Sequence, residues 1–191
     1  AAINSLIRQV SLRADYDFLT HVYSRSGLYE ALKHEETHRH SRFLTVMLLD
    51  IDYFKSINDN YGHECGDRVL ASFARQVQQV VGEEGMVARM GGEEFAVVVN
   101  SGNAQNGYEL AERIRTTVAS HPFTWRHQTL YLTVSIGLGS GKSESWQLTE
   151  VFNTLMAEAD DHLYRSKKAG RNRTSARMSD EQVAATSGSE I

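Results

Sequence analysis

The stretch Gly91-Gly92-Glu93-Glu94-Phe95 constrains the fold more than any other part of the chain. The apolar run Met86-Val87-Ala88 precedes it and Ala96-Val97-Val98-Val99 follows it. Two β-type runs separated by Gly-Gly read as a tight hairpin, because glycine reaches the positive φ values that such turns demand. Whatever sheet forms must therefore contain an antiparallel pair. Small residues at the turn let a large ligand approach the backbone, and the adjacent carboxylates offer hard oxygen ligands suited to Mg²⁺. A hairpin of this composition is a place for a metal-bound nucleoside triphosphate.

The rest of the chain alternates between strand and helix patterns. Residues 43–49 are apolar but for Thr45, as in a buried strand, and Asp50 stands at their end. The hairpin strands are expected over 86–90 and 95–100, and a further strand over 129–136, ending at Gly137. Val69, Phe73, Val77 and Val80 line one face of a helix expected over 66–81, and Leu110, Ile114 and Val118 one over 108–119. A long last helix is expected over 148–168, and Ser26 is the expected cap of a helix reaching about residue 39. This alternation around an antiparallel hairpin defines an α+β class, with helices over the faces of a sheet.

Both ends read differently. Ile3, Leu6, Ile7 and Val10 recur at helical spacing, which fits either a helix packed on its own domain or the end of a dimeric coiled-coil stalk. From Thr174 on, Ser, Ala, Gly and charge dominate, and a disordered tail is expected over 174–191. The 191 residues suit one domain with short extensions. A net charge of −4 argues against general nucleic-acid binding. Cys65 is the only cysteine, which excludes an intramolecular disulfide and fits a reducing cytoplasm. No apolar run approaches membrane-spanning length. The first residue is not Met and lies inside a helical pattern, so the expectation is a fragment of a longer protein.

Further blocks accompany the hairpin. Asp17-Phe18-Leu19-Thr20 and Tyr23-Ser24-Arg25 lie near the start. Asp50-Ile51-Asp52-Tyr53-Phe54-Lys55-Ser56-Ile57-Asn58-Asp59 leads to Tyr61-Gly62-His63 and Gly66-Asp67. Near the end, Ala159-Asp160 and Leu163-Tyr164 precede Lys167-Lys168-Ala169-Gly170-Arg171-Asn172. In order and spacing these blocks resemble the GGDEF family of diguanylate cyclases, in its GGEEF form, over residues 15–173.

The resemblance implies a palm-like nucleotidyl cyclase fold, with a central, mainly antiparallel sheet flanked by helices. It also implies a nucleotidyltransferase that condenses two GTP into cyclic di-GMP, releases two pyrophosphates and works at a homodimer interface. Residues 1–14 would then end a signalling stalk. The catalytic domain would be cytoplasmic, and a sensory or inner-membrane region would precede it. In the reaction each 3′-hydroxyl attacks the α-phosphorus of the other nucleotide, and metals neutralise charge developing on the leaving group. By similarity Asp50, the Ile51 carbonyl and Glu93 ligate Mg²⁺, for which Mn²⁺ can substitute, and Glu94 contributes to a second metal. Glu93 is the base for the 3′-hydroxyl, with Glu94 beside it in the catalytic pair.

Guanine offers N1–H and N2–H₂ as donors and O6 as acceptor; a carboxylate accepts both donors, while an amide donates and accepts. Asn58 and Asp67 match the guanine-reading positions, and His63 a further substrate contact. Lys55, Lys167 and Arg171 resemble the cations that hold the triphosphate. Arg89 matches an arginine that pairs with the aspartate at Asp17 and fixes a turn, after which the family's usual Asn-Arg is Ser24-Arg25 here. The same residues have blander roles: a turn or cap for Asp50, a turn asparagine for Asn58, an N-terminal helix charge for Asp67, a C-terminal helix cation for Lys168.

Other readings compete. His34-Glu35-Glu36-Thr37-His38 is a literal HExxH, which on a helix can bind Zn²⁺ in a metallopeptidase. No third ligand stands at the usual spacing, and a solvated polar face explains it better. Cys65 reads as a small buried hydrophobe. A non-catalytic module binding GTP or cyclic di-GMP is the second reading, disfavoured because the site residues are all retained. Many relatives carry an inhibitory Arg-x-x-Asp before the hairpin. Gly82 and Gly85 hold those positions here, with Glu83 and Glu84 between them, so no inhibitory site is expected.

Overall fold

A strand that is apolar on both faces needs cover on both, and most of residues 42–51 receives it. The computed structural model describes residues 15–36, 42–83, 85–143 and 148–177. Their elements are β1 (Tyr23–Ser24), α1 (Arg25–Glu35), β2 (Arg42–Ile51), α2 (Phe54–Tyr61), α3 (His63–Val81), β3 (Gly85–Gly91) and β4 (Glu94–Asn100). These are followed by α4 (Ala104–Ser120), β5 (Phe123–Trp125), β6 (Gln128–Leu130), β7 (Val134–Ser143), α5 (Leu148–Lys168) and β8 (Thr174–Ser175). The main sheet runs β1-β3-β4-β2-β7-β8, and β5 and β6 form a separate hairpin. β2 is antiparallel to both β4 and β7, and β3 is antiparallel to β4. Among the described residues only the two-residue strands β1 and β8 pair in parallel. The expected α+β class, with a mainly antiparallel sheet between helices, is what the chain forms.

The side chains of β2 alternate between two cores, as strand geometry requires. Met47, Leu49 and Ile51 pack with Val69, Phe73 and Val77 of α3 and with Ile114 and Val118 of α4. Leu44 and Val46 pack with Leu28 and Leu32 of α1 and with Phe152 and Leu155 of α5. Leu48 continues that face against Ala159 and Leu163 of α5. Each such side chain, fully buried, contributes about 1.5–3 kcal/mol. Position 50 falls on the α5 face, which decides where its carboxylate points.

Several elements depart from the sequence reading. The strand expected over 129–136 is two strands, β6 and β7, and β7 runs on through Gly137 and Gly139 to Ser143. Those glycines do not end the strand. A side chain at Gly137 would collide with the backbone of Ala159 and Leu163, and one at Gly139 with that of Leu155. They let α5 lie directly on β7. Ser24, not Ser26, caps α1: its backbone is extended and its Oγ accepts the Gly27 N–H at 3.0 Å. α2 was not foreseen, and α3 starts at His63 rather than at 66. α5 has the expected bounds. Residues Thr174–Ser175, placed in the tail, pair with Ile136 and Gly137. The stalk over 1–14, His38 of the HExxH string, Glu84 and the tail over 178–191 lie outside the described residues. Among the described residues no helix is long and apolar enough to cross a membrane.

Candidate active site

The hairpin turn is Gly92-Glu93, with Gly91 paired to Glu94 across a register shift after Arg89. Gly92 has φ +54, where a side chain would be strained. Arg89 holds the turn: its Nε donates to the Gly92 carbonyl at 2.9 Å, and its Nη1 reaches both Asp17 carboxylate oxygens at 3.3 Å. On the other side the Ile51 N–H approaches the Glu93 carbonyl at 3.4 Å. The Arg89–Asp17 pair implied by the resemblance is therefore present. Asp17 also accepts the N–H and hydroxyl of Thr20, at 2.9 and 2.7 Å. Burial alone would raise the Asp17 pKa, but the Thr20 hydrogen bonds and the Arg89 charge outweigh it and hold the carboxyl below its ordinary value.

Strand register brings the acidic groups together. Asp50 at the end of β2 stands opposite Glu94 of β4. From α5, Lys167 Nζ donates to Asp50 Oδ2 at 2.8 Å. Burial raises the Asp50 pKa, Lys167 pulls it down, and the Glu93 and Asp52 charges add to the rise; the net direction is upward. Glu94 is also raised, first by burial and then by the Asp50 charge, with Asp160 and Glu93 adding and Lys167 opposing. A cation placed beside them would favour the ionised form of both groups. Their hard oxygens fit Mg²⁺. Among the described residues no three His, Cys, Asp or Glu side chains already converge as a ready metal cage, and the Lys167 ammonium is the cation beside Asp50.

Asn58 and Gly66 meet where α2 packs on α3. Asn58 Oδ1 is buried without a hydrogen-bond partner, an expensive state for an amide. It lies against Gly66, where any side chain would strike it. His63 and Asp67 are exposed in the first turns of α3, and Lys55 is exposed on α2, where it pairs with Asp59 at 3.0 Å. Asn58 sits in a helix, so its bland reading as a turn asparagine is corrected; Asp67 lies in the second turn of α3, not at its start. The Arg171 guanidinium lies over the ring of Tyr53, 4.7 Å from its centroid.

Asp50, Glu93, Glu94 and Lys167 thus share one corner of the sheet, Asn58 belongs to the α2–α3 junction, and Lys55 is engaged on its own helix. One neighbour was missed. Asp52 is buried and accepts hydrogen bonds from Thr133, Ser135 and the Asn172 backbone, partners too distant in sequence to signal its role. A groove of about 500 Å³ runs past Gly82, Glu83 and Gly85 and is lined also by Tyr16, His21, Tyr23 and Gln78. Cys65 is fully buried, and burial raises its thiol pKa, so it is inert.

Residues 14–173 match the domain family described as "Diguanylate cyclase, GGDEF domain". The chain belongs to that family. It is 66% identical over 183 residues to the probable diguanylate cyclase DgcF of Escherichia coli K12, covering 96% of this chain and 58% of that relative. It is 35% identical over 174 residues to the diguanylate cyclase DgcP of Pseudomonas aeruginosa, covering 90% of this chain and 25% of that protein. The chain therefore spans a little over half, or less, of these curated relatives. Among solved structures, the coiled coil and GGDEF domain of DgcB from Caulobacter crescentus, in complex with c-di-GMP, superposes with a TM-score of 0.77 at 30% identity, covering 92% of each chain.

Proposed function

We propose that this domain is a diguanylate cyclase that joins two GTP into cyclic di-GMP, with Mg²⁺, across a homodimer. The observation that carries the reading is the corner where Asp50 ends β2 opposite Glu94, beside the Gly92-Glu93 turn, with Lys167 reaching in from α5. Asp50, the Ile51 carbonyl, Glu93 and Glu94 would hold the metal. When bound, Mg²⁺ supplies charge neutralisation on the triphosphate and its pyrophosphate leaving group. Glu93, at the apex of a turn pinned by Arg89, takes the proton of the 3′-hydroxyl. That oxygen attacks the α-phosphorus of the facing nucleotide, and pyrophosphate departs. Asn58 reads guanine together with Asp67, and His63 adds a substrate contact. Lys55, Lys167 and Arg171 hold the phosphates. One domain offers one such corner, and the reaction joins two nucleotides, so two copies must face each other.

The test is purified protein with GTP and Mg²⁺, followed for cyclic di-GMP and pyrophosphate at several protein concentrations. Product is expected, with specific activity rising with concentration in the low range. GTP binding without product would replace catalysis by the binding-module reading. A flat dependence from a proven monomer would refute the dimer.

A further inference from the structure

We propose that Asp52 is a positioning residue that clamps the Arg171-Asn172 turn to the end of β2 and thereby sets Arg171 for a triphosphate. What that cation holds rests on the function proposed above; the clamp itself is read from hydrogen bonds. Asp52 is 5% exposed. Its Oδ1 accepts the Ser135 hydroxyl at 2.6 Å, and its Oδ2 accepts the Thr133 hydroxyl at 2.7 Å and the Asn172 N–H at 3.0 Å. Its own N–H donates to the Thr133 carbonyl at 2.9 Å. Among the described residues it makes no ion pair. The charge is met by neutral donors, so no cation of the site is consumed in holding it.

What Asp52 fastens is unusual backbone. Arg171 and Asn172 have φ +64 and +44, a left-handed region that asparagine enters readily but arginine rarely. The turn follows directly on the last turn of α5: the Arg171 N–H donates to the Ser166 carbonyl at 3.0 Å. Ser166 Oγ in turn donates to the Ile136 carbonyl of β7 at 2.8 Å. Tyr53, the residue after Asp52, carries the ring under the Arg171 guanidinium and itself has φ +57. One buried carboxylate thus joins the strand bearing Asp50, the start of β7 and the turn bearing Arg171.

Asp52→Ala removes the clamp. Asp52→Asn is its rescue: the amide nitrogen can face Ser135, whose hydroxyl turns to accept, while the oxygen stays on Thr133 and Asn172. The first readout is amide hydrogen exchange at Asn172 in the free protein, which needs no nucleotide. The second compares affinities for GMP and for a non-hydrolysable GTP analogue. In Asp52→Ala, Asn172 should exchange at least about tenfold faster and the triphosphate bind about tenfold more weakly, with GMP changed less than about twofold; Asp52→Asn should stay near wild type. Unchanged Asn172 exchange, or equal weakening of GMP and the triphosphate, overturns the proposal. If Asp52→Ala does not fold, Thr133→Val removes one donor to Oδ2 at nearly constant shape and should move the same readouts the same way by less; no movement overturns the clamp. Wild-type protein that binds neither nucleotide would defeat the function proposed above, while Asn172 exchange would still decide for or against the clamp.

Discussion

Gly66→Ala tests the proposed guanine contact of Asn58 without replacing a residue assigned to it. A methyl group at position 66 would overlap Asn58 Oδ1 outright and stand 3.0 Å from Asn58 Cγ and 3.2 Å from the Phe54 ring. Ordinary carbon contacts lie near 3.5–4.0 Å, so the carboxamide has to retreat by more than about 1 Å. It is the end of a short side chain and can rotate away, so the fold survives. Alanine gains about 1 kcal/mol over glycine within a helix, and the crowding costs about 1–3 kcal/mol, which leaves a net loss of about 0–2 kcal/mol. The larger effect falls on binding. An amide turned away from guanine leaves a base donor or acceptor unpaired, which costs about 1–3 kcal/mol, or a factor of about 5 to 150 in affinity. Urea denaturation measures the first quantity, and calorimetric titration with GTP and with inorganic tripolyphosphate measures the second. GTP should weaken while tripolyphosphate does not. A folded Gly66→Ala protein that binds GTP as tightly as wild type would refute the placement of guanine at Asn58.

Three further outcomes are expected. Asp50→Ala and Glu93→Ala should each abolish cyclic di-GMP formation while circular dichroism shows the fold intact; normal turnover in either defeats the metal and base assignments. Cyclic di-GMP should neither bind tightly beside Gly82 and Gly85 nor inhibit, because these glycines lack the arginine and aspartate side chains of an inhibitory site and Glu83 would repel its phosphates; calorimetry with an activity assay decides. The depressed Asp17 pKa stabilises the fold above the ordinary carboxylate range, and that contribution is lost as pH falls through the lower, folded value. Arg89→Ala should therefore cost about 1–2 kcal/mol at neutral pH and flatten the acid limb of stability against pH, which denaturant melts from neutral pH downward would reveal.

Local pattern carried much of this fold. β2, the hairpin and α5 were legible because burial imposes a period on their own residues, and the acidic corner was legible because the hairpin motif and Asp50 are each short strings. Elements whose reason lies elsewhere were not. α2 is mostly polar, with only Phe54 and Ile57 buried, and no side chain caps its start. The glycines of β7 look like a strand end until α5 is laid on them. The Lys167–Asp50 bond spans 117 positions and the Asp52–Asn172 bond 120, so neither leaves a trace in any window of sequence. Two serines two positions apart both look like caps, and the extended backbone at Ser24 with its bond from the Gly27 N–H separates them.

The bare contact between α5 and β7 bears on control. A helix seated on a strand with no side chains between them at Gly137 and Gly139 has no cushion to slide on. The backbone of Lys167 therefore travels with the sheet as part of one casting. If the domain is the cyclase proposed here, its switch is thrown outside the casting, by what brings two finished half-sites face to face. Variants that tune output should then cluster on the surface that meets the second copy, while bulk added at Gly137 or Gly139 would damage the part itself.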